Sequence, residues 1–149
     1  MDDVRQVRKD TEGYCIEDLS VGMTASFAKT VTEADIVLFA GISGDTNPVH
    51  INQEYAATTM FQGRIAHGML TVGFISAVLG TKLPGPGCIY MSQTLKFKAP
   101  VRAGDTVTAR ATITELIPEK RRCVIKTVCT VGETVVVEGE ALLMVPSRG

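Results

Sequence analysis

An aspartate and a histidine stand five positions apart in a short segment rich in glycine and asparagine. The segment reads Ser43-Gly44-Asp45-Thr46-Asn47-Pro48-Val49-His50. At neutral pH a carboxylate is ordinarily ionised and an imidazole mostly neutral. Two such groups that share one water molecule can take a proton from it and return a proton to a neighbouring carbon. The residue types therefore indicate a candidate hydration site at Asp45 and His50.

The local composition decides how these two side chains are presented. Pro48 excludes a regular helix between Asp45 and His50, so we expect both on a tight irregular loop that aims them at one point. A purely structural interpretation fits the same residues, because Asp and Asn bond to their own backbone and tolerate left-handed conformations in turns. The residue types alone leave a turn and an Asp/His site both open.

Two elements are predicted ahead of this loop, and they must position it. The stretch Thr24 to Val31 partly alternates between apolar and polar residues, which predicts a strand. Thr32 and Asp35 form a capping-box-like start, which predicts a helix that continues to about Ala40. Residues 41–50 then predict an irregular connection.

The stretch from His67 to Leu79 is apolar on nearly every side. A helix without a polar face has to be buried, so we expect it to be enclosed and to form the core. It has about 13 residues where a bilayer span needs roughly 20, so no membrane association is expected. We expect it to end at Gly80. The segment Pro84-Gly85-Pro86-Gly87 follows, in which neither a helix nor a central strand persists.

The remaining third of the chain is rich in valine, threonine and isoleucine, which predicts strands. They cover Cys88 to Ala99, Thr106 to Leu116, Cys123 to Val131 and Thr134 to Val145. One apolar helix followed by consecutive strands predicts an α+β domain in which a curved antiparallel sheet covers the helix.

The composition points to one domain over residues 1–149, with a polar N-terminal extension to about Asp18 that we expect to be loosely held. Lys and Arg number 15 against 16 Asp and Glu, a net charge of −1, so nucleic acid is not an expected partner. The four cysteines stand singly without zinc-ligand spacing, which predicts reduced thiols in a cytoplasmic protein and no metal site. No apolar signal region opens the chain, so secretion is not expected.

The string from Phe39 to His50 resembles the hydratase motif of the MaoC-like dehydratase family. It is most similar to the short (R)-specific enoyl-CoA hydratases that supply polyhydroxyalkanoate synthesis. Further stretches resemble the same family in the same order: Tyr55 to Phe61, Ile65 to Leu70, Leu79 to Gly87, Ile89 to Pro100 and Val101 to Val107. The resemblance runs from about Val21 to Val145 and leaves out the N-terminal extension.

This resemblance implies a hot-dog fold, in which an antiparallel sheet wraps a central helix, assembled as a homodimer with the acyl-CoA site at the subunit boundary. It implies (R)-specific hydration of trans-2-enoyl-CoA to (3R)-3-hydroxyacyl-CoA without a cofactor or a metal. Asp45 and His50 match the catalytic pair that activates water, and Ser76 matches a serine that completes its hydrogen-bond network. Gly68 matches the position whose backbone N–H faces the thioester carbonyl.

Other polar residues near these motifs have a structural interpretation as well. Ser76 is also the kind of helical serine that bonds to the carbonyl four residues back. His67 stands at the start of the apolar helix, where bonding to backbone groups is favoured over a direct role with the substrate. Asn47 is expected to fix the loop that aims Asp45 and His50.

Basic residues could bind the phosphates of coenzyme A. Lys96, Lys98 and Arg102 lie near the strand that the family places beside its ligand, so they are candidates for this role. The run Glu119-Lys-Arg-Arg122 between two predicted strands is either a solvated hairpin tip or a rival phosphate contact.

Two other functions fit the same fold. An acyl-CoA thioesterase needs a carboxylate placed to attack, or to activate water at, the thioester carbon, and Asp45 is the obvious candidate. A non-catalytic acyl-CoA or acyl-carrier binding subunit could dispense with Asp45 and His50, so the presence of both favours an enzyme.

Overall fold

The computed structural model describes residues 11–149, in which one antiparallel sheet packs on a central helix. Its strands are β1 (Thr24–Thr30), β2 (Ile89–Gln93), β3 (Lys96–Phe97), β4 (Thr106–Ile117), β5 (Arg122–Val131) and β6 (Thr134–Met144). Its α-helices are α1 (Glu33–Ser43), α2 (Pro48–Ile51), α3 (Gln53–Ala56) and α4 (Gly68–Thr81). Single 3-10 turns lie at Ile16–Asp18 and Pro118–Lys120.

The strands follow the order β1-β4-β5-β6-β2, and β3 pairs with β6. Every pair is antiparallel. Alternate residues of β4 and β5 are buried, as a strand with one covered face requires: Val107, Ala109, Ala111, Ile113, Cys123, Ile125, Thr127 and Cys129. The predicted α+β architecture is confirmed.

The stretch Cys88 to Ala99, predicted as one strand, is divided into β2 and β3. Both pair with β6, but the chain leaves the ladder at Thr94 and Leu95. A Cβ at Gly139 of β6 would lie 1.8 Å from the Thr94 carbonyl oxygen. The backbone at Thr94 therefore lies closer to β6 than any residue other than glycine at position 139 would allow.

The central helix α4 packs on β4 and β1. Its buried residues are Leu70, Thr71, Val72, Ile75, Val78 and Leu79. Ala109 and Ala111 of β4 are buried as well, and their small side chains leave room for the helix to lie close to the sheet. This packing forms the core and fixes where the start of α4 lies.

One side of α4 is exposed in the single chain, so the expectation of complete enclosure is wrong. Met69, Gly73, Ser76 and Gly80 recur every three or four residues and are all exposed. This spacing places them on one side of the helix, which we call the exposed α4 stripe. Within residues 11–149, no helix is both long and apolar enough to cross a membrane.

The expectation of a loosely held extension is wrong from Gly13 onward. The Gly13 and Tyr14 N–H groups donate to the carbonyl oxygens of Pro86 and Pro84 at 2.9 and 2.8 Å. Ile16 is buried in the core. A Cβ at Gly13 would lie 2.5 Å from the Pro84 carbonyl oxygen, so the segment is fitted against this turn. Residues 1–10 of the extension lie outside the described residues.

Candidate active site

Helix α1 carries the chain to the Asp45 loop, and side chains fix its start. The Thr32 hydroxyl accepts a hydrogen bond from the Asp35 N–H at 3.1 Å, and the Asp35 carboxylate accepts one from the Thr32 N–H at 2.9 Å. This is the predicted capping box. A hydrogen bond from the Lys29 ammonium holds the pKa of Asp35 below its usual range, with the Thr32 N–H as the second cause. The helix ends at Gly44, whose φ of 79° suits glycine.

The loop after α1 is shorter than predicted, because only residues 44–47 are irregular. Pro48 is the first residue of α2. An N–H group at this position has no partner within the helix, so proline loses no helical hydrogen bond there and can begin the turn. The expectation that His50 lies on an irregular loop is therefore wrong, whereas residues 45–47 are irregular as predicted. The Asp45 carboxylate accepts a hydrogen bond from the Asn47 N–H at 3.2 Å, and the Asn47 side chain accepts one from the Val49 N–H at 3.1 Å. The Asn47 side chain caps α2 and so fixes the loop.

His50 lies in α2 and is buried, with one ring nitrogen bonded to the backbone. Its Nδ1 lies 2.8 Å from the Ile65 carbonyl oxygen. A carbonyl oxygen only accepts, so Nδ1 carries the hydrogen in this bond. The Nε2 atom of the neutral ring is therefore the free acceptor nitrogen, which a general base requires.

His67 caps the start of α4 and lies between the two candidate catalytic residues. Its Nε2 donates to the backbone carbonyl oxygen of Asp45 at 2.8 Å. Its ring is stacked on the His50 ring, with 3.8 Å between centroids, and contacts the Phe39 ring at 4.7 Å. His67 is 2% exposed. Through the hydrogen bond to Asp45 and the stacking on His50, it connects the start of α4 to the Asp45 loop and to α2.

Asp45, His50 and His67 bring one carboxylate oxygen and two ring nitrogens within 4.8 Å of one another. Such a group could in principle hold a metal ion. The two imidazole rings are stacked with 27° between their planes, whereas an ion must lie near the plane of each ligand ring. The arrangement suits a shared water and proton better than a shared ion.

A cavity of about 330 Å³ lies beside His50. Its walls are mostly apolar and consist of His50, Met60, Phe61, Ile65, Ala66, Gly68, Thr71, Phe97, Lys98, Ala99, Pro100, Val101 and Val137. Asp45 is exposed and does not line this cavity, so its carboxylate reaches the histidine rings from outside the walls. The cavity has room for an apolar chain with its polar end near His50.

Gly68 is the first residue of α4 and lines the cavity. N–H groups in the first turn of a helix have no partner within the helix, and the helix dipole makes this end partly positive. A Cβ at Gly68 would lie 2.5 Å from the Phe97 ring, so only glycine allows the ring to pack against the helix end. Because glycine has no side chain, its backbone N–H is not covered by atoms of its own residue.

Several predicted site residues lie apart from this arrangement. Ser76 belongs to the exposed α4 stripe and does not line the cavity. Lys96 borders a different depression, together with Lys126 and Glu140. The Arg102 guanidinium donates to the carbonyl oxygens of Phe61 and Arg64 and so holds the chain that leads into α4.

Lys98 is the predicted basic residue that does line the cavity, and its ammonium lies 3.5 Å from the Glu138 carboxylate. Residues 119–121 form the exposed tip between β4 and β5, as the structural interpretation expected, whereas Arg122 is the first residue of β5. Thr71 lines the cavity but was not predicted as a site residue. Its one sequence signal is a hydroxyl in an otherwise apolar run.

Residues 19–137 match the family model described as a MaoC like domain. The (R)-specific enoyl-CoA hydratase of Rhodospirillum rubrum is 65% identical over 91% of this chain and 94% of its own length. The 3-hydroxybutyryl-CoA dehydratase of Methylorubrum extorquens is 54% identical over 89% of this chain and 84% of its own length.

Among solved structures, the unliganded R-hydratase PhaJ1 from Pseudomonas aeruginosa is 44% identical and superposes with a TM-score of 0.85. The alignment covers 91% of this chain and 88% of the hydratase. The architecture described above is the hot-dog fold that the resemblance implied. By family model, sequence identity and fold together, this chain belongs to the MaoC-like dehydratase family.

Proposed function

We propose that this chain catalyses the reversible, (R)-specific hydration of trans-2-enoyl-CoA to (3R)-3-hydroxyacyl-CoA. The names of its relatives support a hydro-lyase that acts on enoyl thioesters. One observation carries the proposal. A His50 ring nitrogen lies within 4.8 Å of an Asp45 carboxylate oxygen, and His50 lines an apolar cavity that also contains Gly68 at the start of α4.

In the proposed reaction, one water molecule lies between the Asp45 carboxylate and His50 Nε2. The Asp45/His50 pair takes a proton from the water as its oxygen bonds to C3. The electron pair of the C2–C3 double bond moves toward the thioester and leaves an enolate. The Asp45/His50 pair then returns a proton to C2 on the same face. One water molecule is thereby added, and Asp45 and His50 regain their starting protonation states.

The enolate oxygen needs hydrogen-bond donors, because C3 is electrophilic only to the extent that negative charge can move onto the thioester. The Gly68 N–H, at the partly positive end of α4, is the proposed donor. A preorganised donor of this kind is worth about 3 to 4 kcal/mol in the transition state. His67 and Asn47 act as positioning residues, because they bond to the loop and helix that carry the Asp45/His50 pair.

Lys98 is the strongest of the three proposed coenzyme A contacts, because it lines the cavity. The Arg102 guanidinium is already bonded to two backbone carbonyls, and Lys96 lies at a separate depression. We retain both as weaker candidates for the phosphates, which extend beyond the cavity that takes the acyl end.

A homodimer is part of the proposal, and the edge of the sheet supports it. β2 is an edge strand whose residues Ile89, Tyr90 and Met91 are 57%, 38% and 40% exposed. An apolar edge strand with unpaired backbone groups favours pairing with another chain. A second copy paired along β2 would extend the sheet. The family resemblance implies a site at the subunit boundary, and Ser76, exposed on the α4 stripe, is a candidate residue of that boundary.

The proposed location is the cytoplasm, and the cysteines support it. The cysteines of the described residues are unpaired. Burial raises the pKa of Cys123 to about 11 and that of Cys129 to about 12, so both thiols stay protonated and pack as small apolar groups. Unpaired, unreactive thiols fit a reducing compartment.

Crotonyl-CoA tests the proposed function directly. We expect its enoyl absorbance to fall without release of free thiol, and chiral analysis to find the (3R) product. Free thiol release would instead show a thioesterase, and unchanged crotonyl-CoA with measurable binding would show a binding subunit. The (3S) product would contradict the proposed stereochemistry while leaving hydration intact.

A further inference from the structure

Thr71 carries the one polar side chain among the buried residues of α4. It is 1% exposed, and its hydroxyl has no hydrogen-bond partner within the described residues. An unpaired buried hydroxyl is costly, and valine would fill the same space without that cost. The position therefore calls for a partner that the chain itself does not provide.

Thr71 is a lining residue of the cavity of the proposed site. Thr71 lines the same walls as His50 and Gly68. Side chains in a helix lean toward its N-terminus and cover the turn three to four residues earlier. Thr71 follows Gly68 by three residues, so its side chain leans toward the turn that begins at Gly68.

Two groups of the protein could form a hydrogen bond with the Thr71 hydroxyl, and neither does. A helical threonine commonly bonds to the carbonyl oxygen four residues back, here that of His67, but Thr71 makes no such bond. The His67 Nδ1 atom, also four residues back, is buried and without a partner itself. The hydroxyl proton of Thr71 is thus available to a molecule in the cavity.

We propose that Thr71 is a further catalytic residue, whose hydroxyl donates a second hydrogen bond to the thioester oxygen beside the Gly68 N–H. The inference rests on the proposed hydration of an enoyl thioester. As the water oxygen bonds to C3, negative charge moves onto the thioester oxygen, and both hydrogen bonds strengthen. When the proton reaches C2, the electrons return and the charge is lost. Thr71 keeps its own proton throughout.

The test compares Thr71→Val, which removes the hydroxyl at equal size, with Thr71→Ser, which keeps it. With crotonyl-CoA we expect Thr71→Val to lower kcat by about 10- to 100-fold, with KM changed by less than about threefold, because the bond matters most in the transition state. Thr71→Ser should retain kcat within about threefold. The melting temperature of Thr71→Val should stay equal or rise, since an unpaired buried hydroxyl is removed.

Thr127→Val is the matched control. Thr127 is also a buried threonine, but it lies on β5 outside the cavity lining and accepts a hydrogen bond from Gln93 Nε2 at 2.9 Å. Its replacement should lower the melting temperature and leave kcat unchanged. The two valine variants should thus show opposite patterns of stability and activity.

Three outcomes overturn the role of Thr71 while leaving the proposed function intact. They are a wild-type kcat in Thr71→Val, equal losses in the Val and Ser variants, and a loss that follows a lowered melting temperature. A wild-type protein that does not hydrate crotonyl-CoA overturns the proposed function, and the role of Thr71 with it.

Discussion

At the scale of single residues, two backbone carbonyls decide which ring nitrogens of the histidines are free. The Ile65 carbonyl oxygen accepts a hydrogen bond from His50 Nδ1, and the Asp45 carbonyl oxygen accepts one from His67 Nε2. Each neutral ring therefore has one defined acceptor nitrogen. This arrangement holds His50 ready to act as a base without any rotation of the ring.

Replacement of either member of the Asp45/His50 pair tests the proposed chemistry. We expect Asp45→Asn and His50→Ala each to lower kcat on crotonyl-CoA by at least about 100-fold, the scale of general acid-base catalysis. Circular dichroism should show the wild-type fold in both variants, since Asp45 is exposed and His50 contributes one side-chain hydrogen bond.

Glu54→Gln is the control for loss of a carboxylate. Glu54 is exposed on α3 and does not line the cavity, so its replacement should leave kcat at the wild-type value. A near-normal kcat in Asp45→Asn or His50→Ala would remove the pair from the mechanism.

The sequence predicts that Asp45 and His50 lie close together, because they are five positions apart and a short turn keeps such residues near each other. The contacts of His67 and Arg102 could not be inferred in this way. His67 bonds to a carbonyl 22 residues earlier, and Arg102 to one 38 residues earlier. Only the packing of α4 on the sheet brings those groups together. The availability of the Thr71 hydroxyl likewise depends on the cavity.

At the scale of elements, boundaries set by local bonds were predicted well and those set by packing were not. The Thr32 cap and the strand β1 follow from residues that are near in sequence. At the break between β2 and β3, Thr94 packs against Gly139, which lies more than 40 residues later. The residues near Thr94 therefore do not predict the break. The expectation for the N-terminal extension is wrong for the same reason, because its partners Pro84, Pro86 and Pro146 are distant in sequence.

The clamp between Asp18 and Arg148 predicts an acid-sensitive N-terminal segment. Arg148 donates two hydrogen bonds to the Asp18 carboxylate at 2.8 and 2.7 Å. These bonds, followed by one from the Cys15 N–H, lower the pKa of Asp18 to about 2. A carboxyl with a lowered folded pKa stabilises the fold above its unfolded value of about 3.9, and this contribution is lost as the pH falls toward the folded value.

Amide hydrogen exchange measures this effect. Protection of residues 13–18 should fall between about pH 4 and pH 2, while β5 stays protected. The change should be below about fivefold, because an exposed ion pair contributes little. In Arg148→Ala, protection of this segment should be lower at neutral pH and the acid step smaller. A smaller step remains because a hydrogen bond from Ser147 still lowers the pKa of Glu17. The same acid step in both proteins would show that the clamp does not hold the segment.

At the scale of the whole molecule, apolar side chains of the edge strand β2 are uncovered in the single chain. Met69 of the exposed α4 stripe and Leu38 and Ile42 of α1 are uncovered as well. A second copy paired along β2 would cover that edge, whereas the opposite edge of the sheet, β1, carries Lys29 and three threonine or serine residues. The chain runs from β2 directly to β3, whose Phe97 lines the cavity. Assembly and activity should therefore be linked.

Charge introduced into the β2 edge tests that link. We expect the wild-type protein to run at twice the mass of the single chain in chromatography with light scattering. The double variant Ile89→Lys, Met91→Lys should run at the single mass and lose most of its kcat, because buried unpaired ammonium groups are not tolerated.

Val21→Lys is the matched control. Val21 is 63% exposed just before β1, at the opposite edge, so its replacement should leave both mass and kcat unchanged. A wild-type protein that is active as a single chain would contradict the proposed dimer, and so would a double variant that still pairs.

Few acid-base groups line the cavity. Its lining includes two titratable side chains, His50 and Lys98, and the Lys98 ammonium is ion-paired with Glu138. Most of the other lining residues are apolar, among them Phe97 and Val137, which cannot move protons. We therefore expect the backbone that places α2, which carries His50, to decide which face of the substrate receives water. Directed evolution by point substitution should change which chains are accepted long before it inverts the product.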